Sequence, residues 1–338
     1  MKKGVLCKGL SKGINIWRDE LKNSRKNGVS YNNDIDEDFR PGLLDAPLPL
    51  INDPEGESVP EGFPFIVDAH VHLFPDMLFD SVWEWFEKYG WPIRYKLKTP
   101  DIIKFLISRG VTHIVALHYA HRPGIAGKLN RYMAEVCRLC TAVTGMATVF
   151  PGEDGAPDIL GEAFDMGLSG VKLHSHVQCF DMESRAMQEV YDTCVKYNKP
   201  LIMHVGREPK SPEYPCDPYL LCSADRLERV IKAYPSLKVC VPHLGADEFE
   251  EYKRMTEEND NLWLDTTMTL ADYLPMKSFP ELCTMRIDRI IFGTDFPNIP
   301  YAWDREIKRL LKMDLPCGSL EKILGGNAAE FYSISTCP

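Results

Sequence analysis

The stretch FPFIVDAHVHL, residues 63–73, is a short apolar run that contains Asp68-Ala-His70-Val-His72. Successive side chains of a strand point to opposite faces, so His70 and His72 lie on the same side. Two imidazoles at positions i and i+2 can bind one metal ion from the end of a strand. An H-x-H pair alone is weak evidence, so its meaning depends on the other apolar runs.

Seven further apolar runs follow, and stretches with helical character separate them. The runs are VTHIVALH (111–118), VTGMATVF (143–150), SGVKLH (169–174), PLIMHVG (200–206), LKVCVPHLG (237–245), NLWLDTT (261–267) and RIIFGTDF (289–296). Helices are predicted over 99–109, 127–140, 157–166, 183–197, 224–233 and 246–258. Alternation of strands and helices indicates parallel βα units, and eight strands favour a closed barrel over an open sheet. We therefore predict an α/β protein with a (β/α)8 TIM barrel over residues 63–338.

Two segments do not follow the alternating pattern. Residues 1–62 are rich in Asn, Asp, Pro and Gly, and we interpret them as an extended N-terminal arm with one short helix near 14–23. Residues 79–95 form an aromatic-rich insertion after the first strand. The insertion is predicted to be a hydrophobic plug over the barrel; the alternative is a lid over the active-site mouth.

The composition narrows the classes of partner and the compartment. The 338 residues carry a net charge of −10, and no basic stripe stands out, which argues against binding to nucleic acid or an anionic membrane surface. No apolar stretch approaches the roughly 20 residues that span a bilayer. The 11 cysteines show no disulfide pattern, so we expect them to be unpaired in a reducing compartment. Without the apolar core of a signal peptide, a cytoplasmic protein with a small-molecule substrate is expected.

Three more candidate ligands stand at the ends of predicted strands. His204 ends LIMHVG, His243 ends CVPHLG, and Asp295 ends IFGTDFP. Barrel enzymes place their active sites at the C-terminal ends of the strands. A mixed set of imidazoles and a carboxylate suits zinc, iron or manganese. The alternative is a set of buried polar residues with other partners, and it does not explain why such residues recur where apolar runs end.

The motifs IVDAHVHLFP, GVKLHSHVQ, LIMHVG, VPHLG, FGTDFPNIPY and ILGGNAAEFY occur in this order over about residues 65–333. Together they resemble the amidohydrolase superfamily, in particular its amidohydrolase-2 branch, and are similar to aminocarboxymuconate-semialdehyde decarboxylase. The resemblance implies one divalent metal ion bound by His70, His72 and His204, with Asp295 as a further ligand or as a base beside the activated water. It implies that His243 transfers protons. Zn²⁺ is favoured, with manganese or iron open, and a homodimer is implied because barrels of this branch are commonly dimers.

The fourth predicted strand carries Lys172, His174 and His176 on one face. Some superfamily members have a carboxylated lysine there that bridges two metals, whereas members of this branch often have the same segment with one metal. We therefore predict a single metal, with Lys172 in a structural or substrate-contacting position and His174 lining the substrate pocket rather than binding metal. Arg207 follows His204 closely and is predicted to bind a substrate carboxylate, although a surface position is equally compatible with its type. Asp68 is expected either to orient an imidazole or to accept backbone hydrogen bonds.

These features predict a metal-dependent hydrolase that acts on a small carboxylate-bearing or cyclic substrate through a metal-activated water. In that chemistry a carboxylate accepts a proton from water and a histidine, which titrates near neutrality, delivers one. The alternative is nonoxidative, metal-dependent decarboxylation of an aromatic or muconate-type acid at the same residues. A noncatalytic scaffold barrel is disfavoured because every expected ligand is present in the sequence.

Overall fold

The computed structural model describes residues 51–206, 214–273 and 280–335. Within these ranges the strands are β1 (Val67–His72), β2 (His113–Leu117), β3 (Val143–Gly145), β4 (Val171–His174), β5 (Leu201–His204), β6 (Val239–Val241), β7 (Leu262–Asp265) and β8 (Ile290–Ile291). The α-helices are α1 (Asp76–Tyr89), α2 (Thr99–Ser108), α3 (Ala126–Leu139), α4 (Ala156–Asp165), α5 (Ser175–Gln178), α6 (Arg185–Lys196), α7 (Pro218–Leu221), α8 (Ala224–Ala233), α9 (Phe249–Glu258), α10 (Arg305–Leu310), α11 (Ser319–Glu321) and α12 (Asn327–Tyr332). All eight predicted strands are present.

The strands run parallel in two sheets that meet at both pairs of edges. One sheet has the order β1-β2-β3 and the other β4-β5-β6-β7-β8. Ala147 bridges Val171 between β3 and β4, and Val71 bridges Phe296 between β1 and the end of β8. The His72 amide donates to the Phe296 carbonyl at 2.8 Å across the second junction. The strands therefore follow one another around the barrel in chain order, as the TIM-barrel prediction requires.

The helices form where apolar residues recur at helical spacing. In α8, Leu227, Val230 and Ile231 are buried against the barrel, and the helix has the predicted bounds. The helix α9 starts at Phe249, three residues later than predicted. Its start is delayed because residues from His243 to Ala246 adopt left-handed backbone conformations that cannot continue a helix.

Part of the N-terminal arm lies on the barrel. The Val59 amide donates to the Arg109 carbonyl at 2.7 Å, and the Gly56 amide donates to Asp304 Oδ2 at 2.8 Å. The predicted helix near 14–23 lies outside the described residues.

The aromatic insertion forms α1 and packs as a plug on its inner side. Phe79 and Trp83 are buried, with the Phe79 ring 5.6 Å from Phe74 and 5.3 Å from Trp83. This confirms the plug prediction for the two rings. On its other side, Trp85 stacks on Tyr214 at 5.6 Å, so α1 also reaches the segment that follows β5. The lid interpretation stays a prediction.

The expectation that all cysteines are unpaired is wrong for one pair, because Cys179 and Cys216 form a disulfide. They are 37 residues apart in sequence, yet their Cα atoms are 5.7 Å apart. Cys179 follows β4 and Cys216 follows β5, and these strands are neighbours in the sheet. Among the described residues, no helix combines the length and apolar character needed to cross a membrane.

Candidate metal centre

The first cluster of possible ligands lies where the barrel closes. His70 and His72 come from the end of β1, and Asp295 follows β8. Asp295 Oδ1 is 2.9 Å from His72 Nε2 and 3.6 Å from His70 Nε2. All three side chains are buried. Two imidazole nitrogens and a carboxylate oxygen are a donor set that fits a divalent transition metal.

Asp265 at the end of β7 fixes the orientation of His70. Its Oδ2 accepts a hydrogen bond from His70 Nδ1 at 2.8 Å, and its Oδ1 accepts from the backbone amides of His243 and Thr267. A proton on Nδ1 leaves Nε2 of His70 with a lone pair, and this nitrogen lies 3.6 Å from Asp295 Oδ1 and 3.5 Å from Lys172 Nζ. The sequence analysis did not include Asp265 in the predicted site. A signal for it exists, because Asp265 is an acidic residue that follows the apolar part of NLWLDTT.

The electrostatics of this cluster favour a neutral ligand imidazole and an ionised carboxylate. Burial, and then the charge of Lys172, hold the pKa of His70 well below its usual value. Burial opposes ionisation of Asp295, but the hydrogen bond and charge of His72, with smaller contributions from His70 and His243, lower its pKa to about 2. Neutral imidazole and carboxylate are the forms that bind a metal.

Lys172 lies beside the first cluster. Its Nζ is 3.5 Å from His70 Nε2, and the side chain is fully buried. Burial lowers the pKa of Lys172 to about 8, against the attraction of Asp265 and Asp295. The predicted substrate contact of Lys172 stays a prediction.

His243 contacts His204. The Nδ1 of His243 is 2.9 Å from the Thr267 carbonyl, which can only accept, so Nδ1 carries a proton. The Nε2 of His243 is 3.3 Å from Nδ1 of His204, and the His243 and His70 rings are 5.9 Å apart. The backbone of His243 is left-handed, with φ +57°, an uncommon conformation that often marks functional sites.

His204 belongs to a second group of three imidazoles with His174 and His176. His174 and His204 are register partners on β4 and β5, and their rings stack at 4.0 Å. One cluster thus contains three of the four predicted metal ligands, whereas His204 groups with His174 and His176. Burial, followed by the charge of His204, holds the pKa of His174 well below its usual value.

Two other residues complete the description of the predicted site. Asp68 accepts hydrogen bonds from the His70 amide at 3.3 Å, the Thr294 amide at 3.1 Å and the Thr294 hydroxyl at 2.6 Å. This matches the second of its two predicted roles, because it satisfies backbone groups rather than an imidazole. Arg207, the predicted carboxylate-binding residue, lies outside the described residues.

A parallel (β/α)8 barrel with an H-x-H pair on its first strand and an aspartate after its eighth defines a class of metal-binding barrel proteins. The family described as Amidohydrolase matches residues 67–334, and the chain belongs to this family. The match spans the barrel from β1 to the residues just after α12. No curated protein sequence matches the chain.

Solved structures with the same fold include decarboxylases and a hydrolase. One is 5-carboxyvanillate decarboxylase from Novosphingobium aromaticivorans with manganese bound, at 15% identity and TM-score 0.57, covering 83% of this chain and 99% of that chain. Another is 2,6-dihydroxybenzoate decarboxylase from Rhizobium, at 18% identity and TM-score 0.56, covering 80% and 99%. A probable 2-pyrone-4,6-dicarboxylic acid hydrolase from Acinetobacter baumannii has 17% identity and TM-score 0.53, covering 79% and 99%. At these identities the comparison shows the fold.

Proposed function

We propose that the protein is a metal-dependent hydrolase of a small carboxylate-bearing or cyclic substrate. The convergence of His70, His72 and Asp295 at the C-terminal rim of the barrel carries the proposal. These residues would hold a divalent cation, most simply Zn²⁺, with His204 nearby as the fourth predicted ligand. When bound, such a cation lowers the pKa of a water toward about 7 and polarises a substrate oxygen.

The protein side chains supply the proton transfers. Asp295 is ionised and can accept a proton from the attacking water. His243 keeps one proton on Nδ1 through the Thr267 carbonyl, so Nε2 is the nitrogen that can take up and deliver a second proton. Asp265 orients His70 through its ring and His243 through its backbone amide.

Nonoxidative decarboxylation is the second candidate, because two of the solved neighbours are decarboxylases of hydroxylated aromatic acids. In that reaction His243 would protonate the substrate carbon from which carbon dioxide leaves. The two reactions differ in whether water is consumed, so the products distinguish them directly.

The test combines a substrate panel with two variants. The Zn²⁺-loaded protein is incubated in H₂¹⁸O with cyclic esters bearing a carboxylate and with hydroxybenzoates, and ¹⁸O incorporation and carbon dioxide release are measured. We expect ¹⁸O in the product, loss of bound metal in His70→Ala, and retained metal without turnover in His243→Asn. Carbon dioxide release without ¹⁸O in the organic product would show decarboxylation instead of hydrolysis. A fully active His243→Asn would contradict the role of that residue.

The proposal includes a homodimer, which rests on the family resemblance alone. Sedimentation equilibrium of the purified chain tests it, and a monomer at micromolar concentration would contradict it.

A further inference from the structure

We infer that residues 53–59 form a strap that positions Asp295 from outside the family barrel, with Glu55 as its main positioning residue. The inference rests on the proposed function, because it takes Asp295 to be part of the metal site. The match to the Amidohydrolase family begins at residue 67, so the strap precedes the segment that the family shares. It connects the loop between α1 and α2 with the segment 296–305, which follows Asp295.

Two residues of the strap bind the segment 296–305 directly. The Gly56 amide donates to Asp304 Oδ2 at 2.8 Å, and the Gly56 carbonyl accepts from the indole nitrogen of Trp303 at 3.2 Å. Asp53 Oδ2 accepts from the Ala302 amide at 3.4 Å. Trp303 and Asp304 are buried. These bonds hold the segment at the end that is distant from the metal site.

Glu55 reaches the other end of the segment through Tyr95. The Tyr95 hydroxyl donates to Glu55 Oε2 and accepts from the Trp303 amide at 3.0 Å. The Tyr95 ring is buried and lies 4.8 Å from the ring of Phe296, the residue after Asp295. Because the hydroxyl is shared between a carboxylate and a backbone amide, displacement of the ring would break two hydrogen bonds. The strap therefore fixes the ring that packs against the neighbour of the predicted ligand.

Asp295 has a backbone conformation that its surroundings must impose. Its φ is +65°, in a region that is uncommon for residues other than glycine. Such a conformation persists only where the surrounding contacts over-determine it. The Asp295 amide donates to the His70 carbonyl at 2.9 Å, and the Phe296 carbonyl accepts from the His72 amide at 2.8 Å. The contact between Phe296 and Tyr95 adds a side-chain constraint to these two backbone bonds.

The hydrogen bond to Tyr95 is the interaction of Glu55 that matters for this positioning. Glu55 also pairs with Arg94 at 3.1 Å and with Arg109 at 3.7 Å, and its side chain is 31% exposed. Exposed ion pairs add little stability. Glu55→Gln removes the charge but keeps an oxygen that can accept from Tyr95, whereas Glu55→Ala removes the acceptor. The two variants therefore separate positioning from surface electrostatics.

The test measures amide hydrogen exchange and Zn²⁺ affinity in the full chain. In Glu55→Ala the Asn298 and Trp303 amides should exchange about 5-fold faster, because local opening of the segment becomes easier. Zn²⁺ binding should weaken about 3- to 10-fold, less than the loss of a direct partner of a ligand would cause. Exchange in β5, across the barrel from β1, should be unchanged. Glu55→Gln should resemble the wild type, and Glu57→Ala, at an exposed position of the same strap, is the matched control.

Tyr95→Phe gives an independent check, because it removes the hydroxyl and keeps the ring. Its effects should be at least as large as those of Glu55→Ala, since it also deprives the Trp303 amide of its acceptor. Glu55→Ala should add no further effect in the Tyr95→Phe background, because the two groups act as one unit.

The outcomes separate this inference from the proposed function. Unchanged exchange in Glu55→Ala would overturn the strap, and faster exchange with unchanged Zn²⁺ affinity would overturn its positioning role. The Asn298 amide donates to the Asp295 carbonyl at 2.9 Å, so its exchange reports on Asp295 even without a metal. A wild type that binds no Zn²⁺, but whose Asn298 amide exchanges faster in Glu55→Ala, would overturn the proposed function and support the strap.

Discussion

At the scale of single residues, the site depends on carboxylates that never touch the predicted ion. Asp265 holds one imidazole and two backbone amides, and Asp68 holds the backbone on both sides of the junction between β1 and β8. Such partners determine which ring nitrogen is free, because an imidazole that donates from one nitrogen offers the lone pair of the other.

Asp265→Asn should weaken metal binding about 10- to 100-fold. An amide nitrogen then stands where an oxygen accepted the Nδ1–H of His70, so the His70 ring is no longer held in its orientation. The fold should persist, since the amide oxygen can still accept from the His243 amide. Affinity is measured by competition with a chromophoric chelator. Asp154→Asn, at an exposed loop position, is the control, and an unchanged affinity in Asp265→Asn would show that Asp265 does not orient His70.

Asp68 should give the protein a distinctive dependence of stability on pH. Burial raises the pKa of Asp68 to about 7, whereas in the unfolded chain it is about 3.9. The native state therefore retains a proton that the unfolded state has lost. The contribution of Asp68 to the free energy of unfolding is fully present below about pH 4. As the pH rises, it decreases by about 1.4 kcal/mol per pH unit, so about 4 kcal/mol is lost by pH 7.

Asp68→Asn should remove this decrease in stability with rising pH. The free energy of unfolding of both proteins is measured in urea from pH 4 to pH 8. Buried Asp265 and Glu306, whose pKa values burial also raises, titrate in both proteins. The difference between the two curves therefore reports Asp68. Parallel curves for the wild type and the variant would contradict the raised pKa.

At the scale of elements, close approach of β8 to β1 explains a glycine in the motif FGTDF. A Cβ atom at Gly293 would lie 2.6 Å from His70 Cβ and 2.8 Å from Thr267 Oγ1. Any side chain there would displace the strand that carries the first ligand. The same motif places Asp295, four residues after β8, in a left-handed conformation with φ +65°.

Gly293→Ala should lower the free energy of unfolding by about 1–3 kcal/mol through overpacking and should also weaken metal binding. Gly127→Ala is the paired comparison, because its Cβ would meet only Arg131 Nη1 at 3.6 Å within the first turn of α3. That change should be neutral or stabilise the helix by up to about 1 kcal/mol. Equal effects of the two substitutions would show that the close contact at Gly293 is not the cause.

The sequence predicted elements well where the signal was local. The apolar runs predicted the strands, and the His and Asp residues at the ends of these runs predicted most of the site. This works because a residue's position at the end of a strand determines the direction of its side chain. Three features depended on pairing between distant segments. The grouping of His204 with His174 follows from register between β4 and β5, the disulfide follows from the same adjacency, and the role of Asp265 follows from the position of β7 opposite His70.

At the scale of the whole molecule, each of the two histidine clusters connects two strands of the barrel, but only the first lies at a junction between the sheets. The first cluster connects β1 to the residues after β8, which are the first and last strands in the chain. The second connects β4 to β5 within the larger sheet. A cation in the first cluster would therefore cross-link the two ends of the barrel, in addition to the backbone hydrogen bonds from the His72 amide to the Phe296 carbonyl and from the Asp295 amide to the His70 carbonyl.

Removal of metal should consequently destabilise the whole barrel. A ligand at 100 times its dissociation constant stabilises the native state by about 2.7 kcal/mol, provided that the unfolded chain does not bind it. We expect a chelator to lower the Tm by several degrees and Zn²⁺ to restore it. His72→Ala should remove this shift, because it deletes one of the ligands of the first cluster. Calorimetric scans of the wild type and the variant check this, and a wild-type Tm that does not respond to Zn²⁺ would mean that the first cluster does not cross-link the barrel.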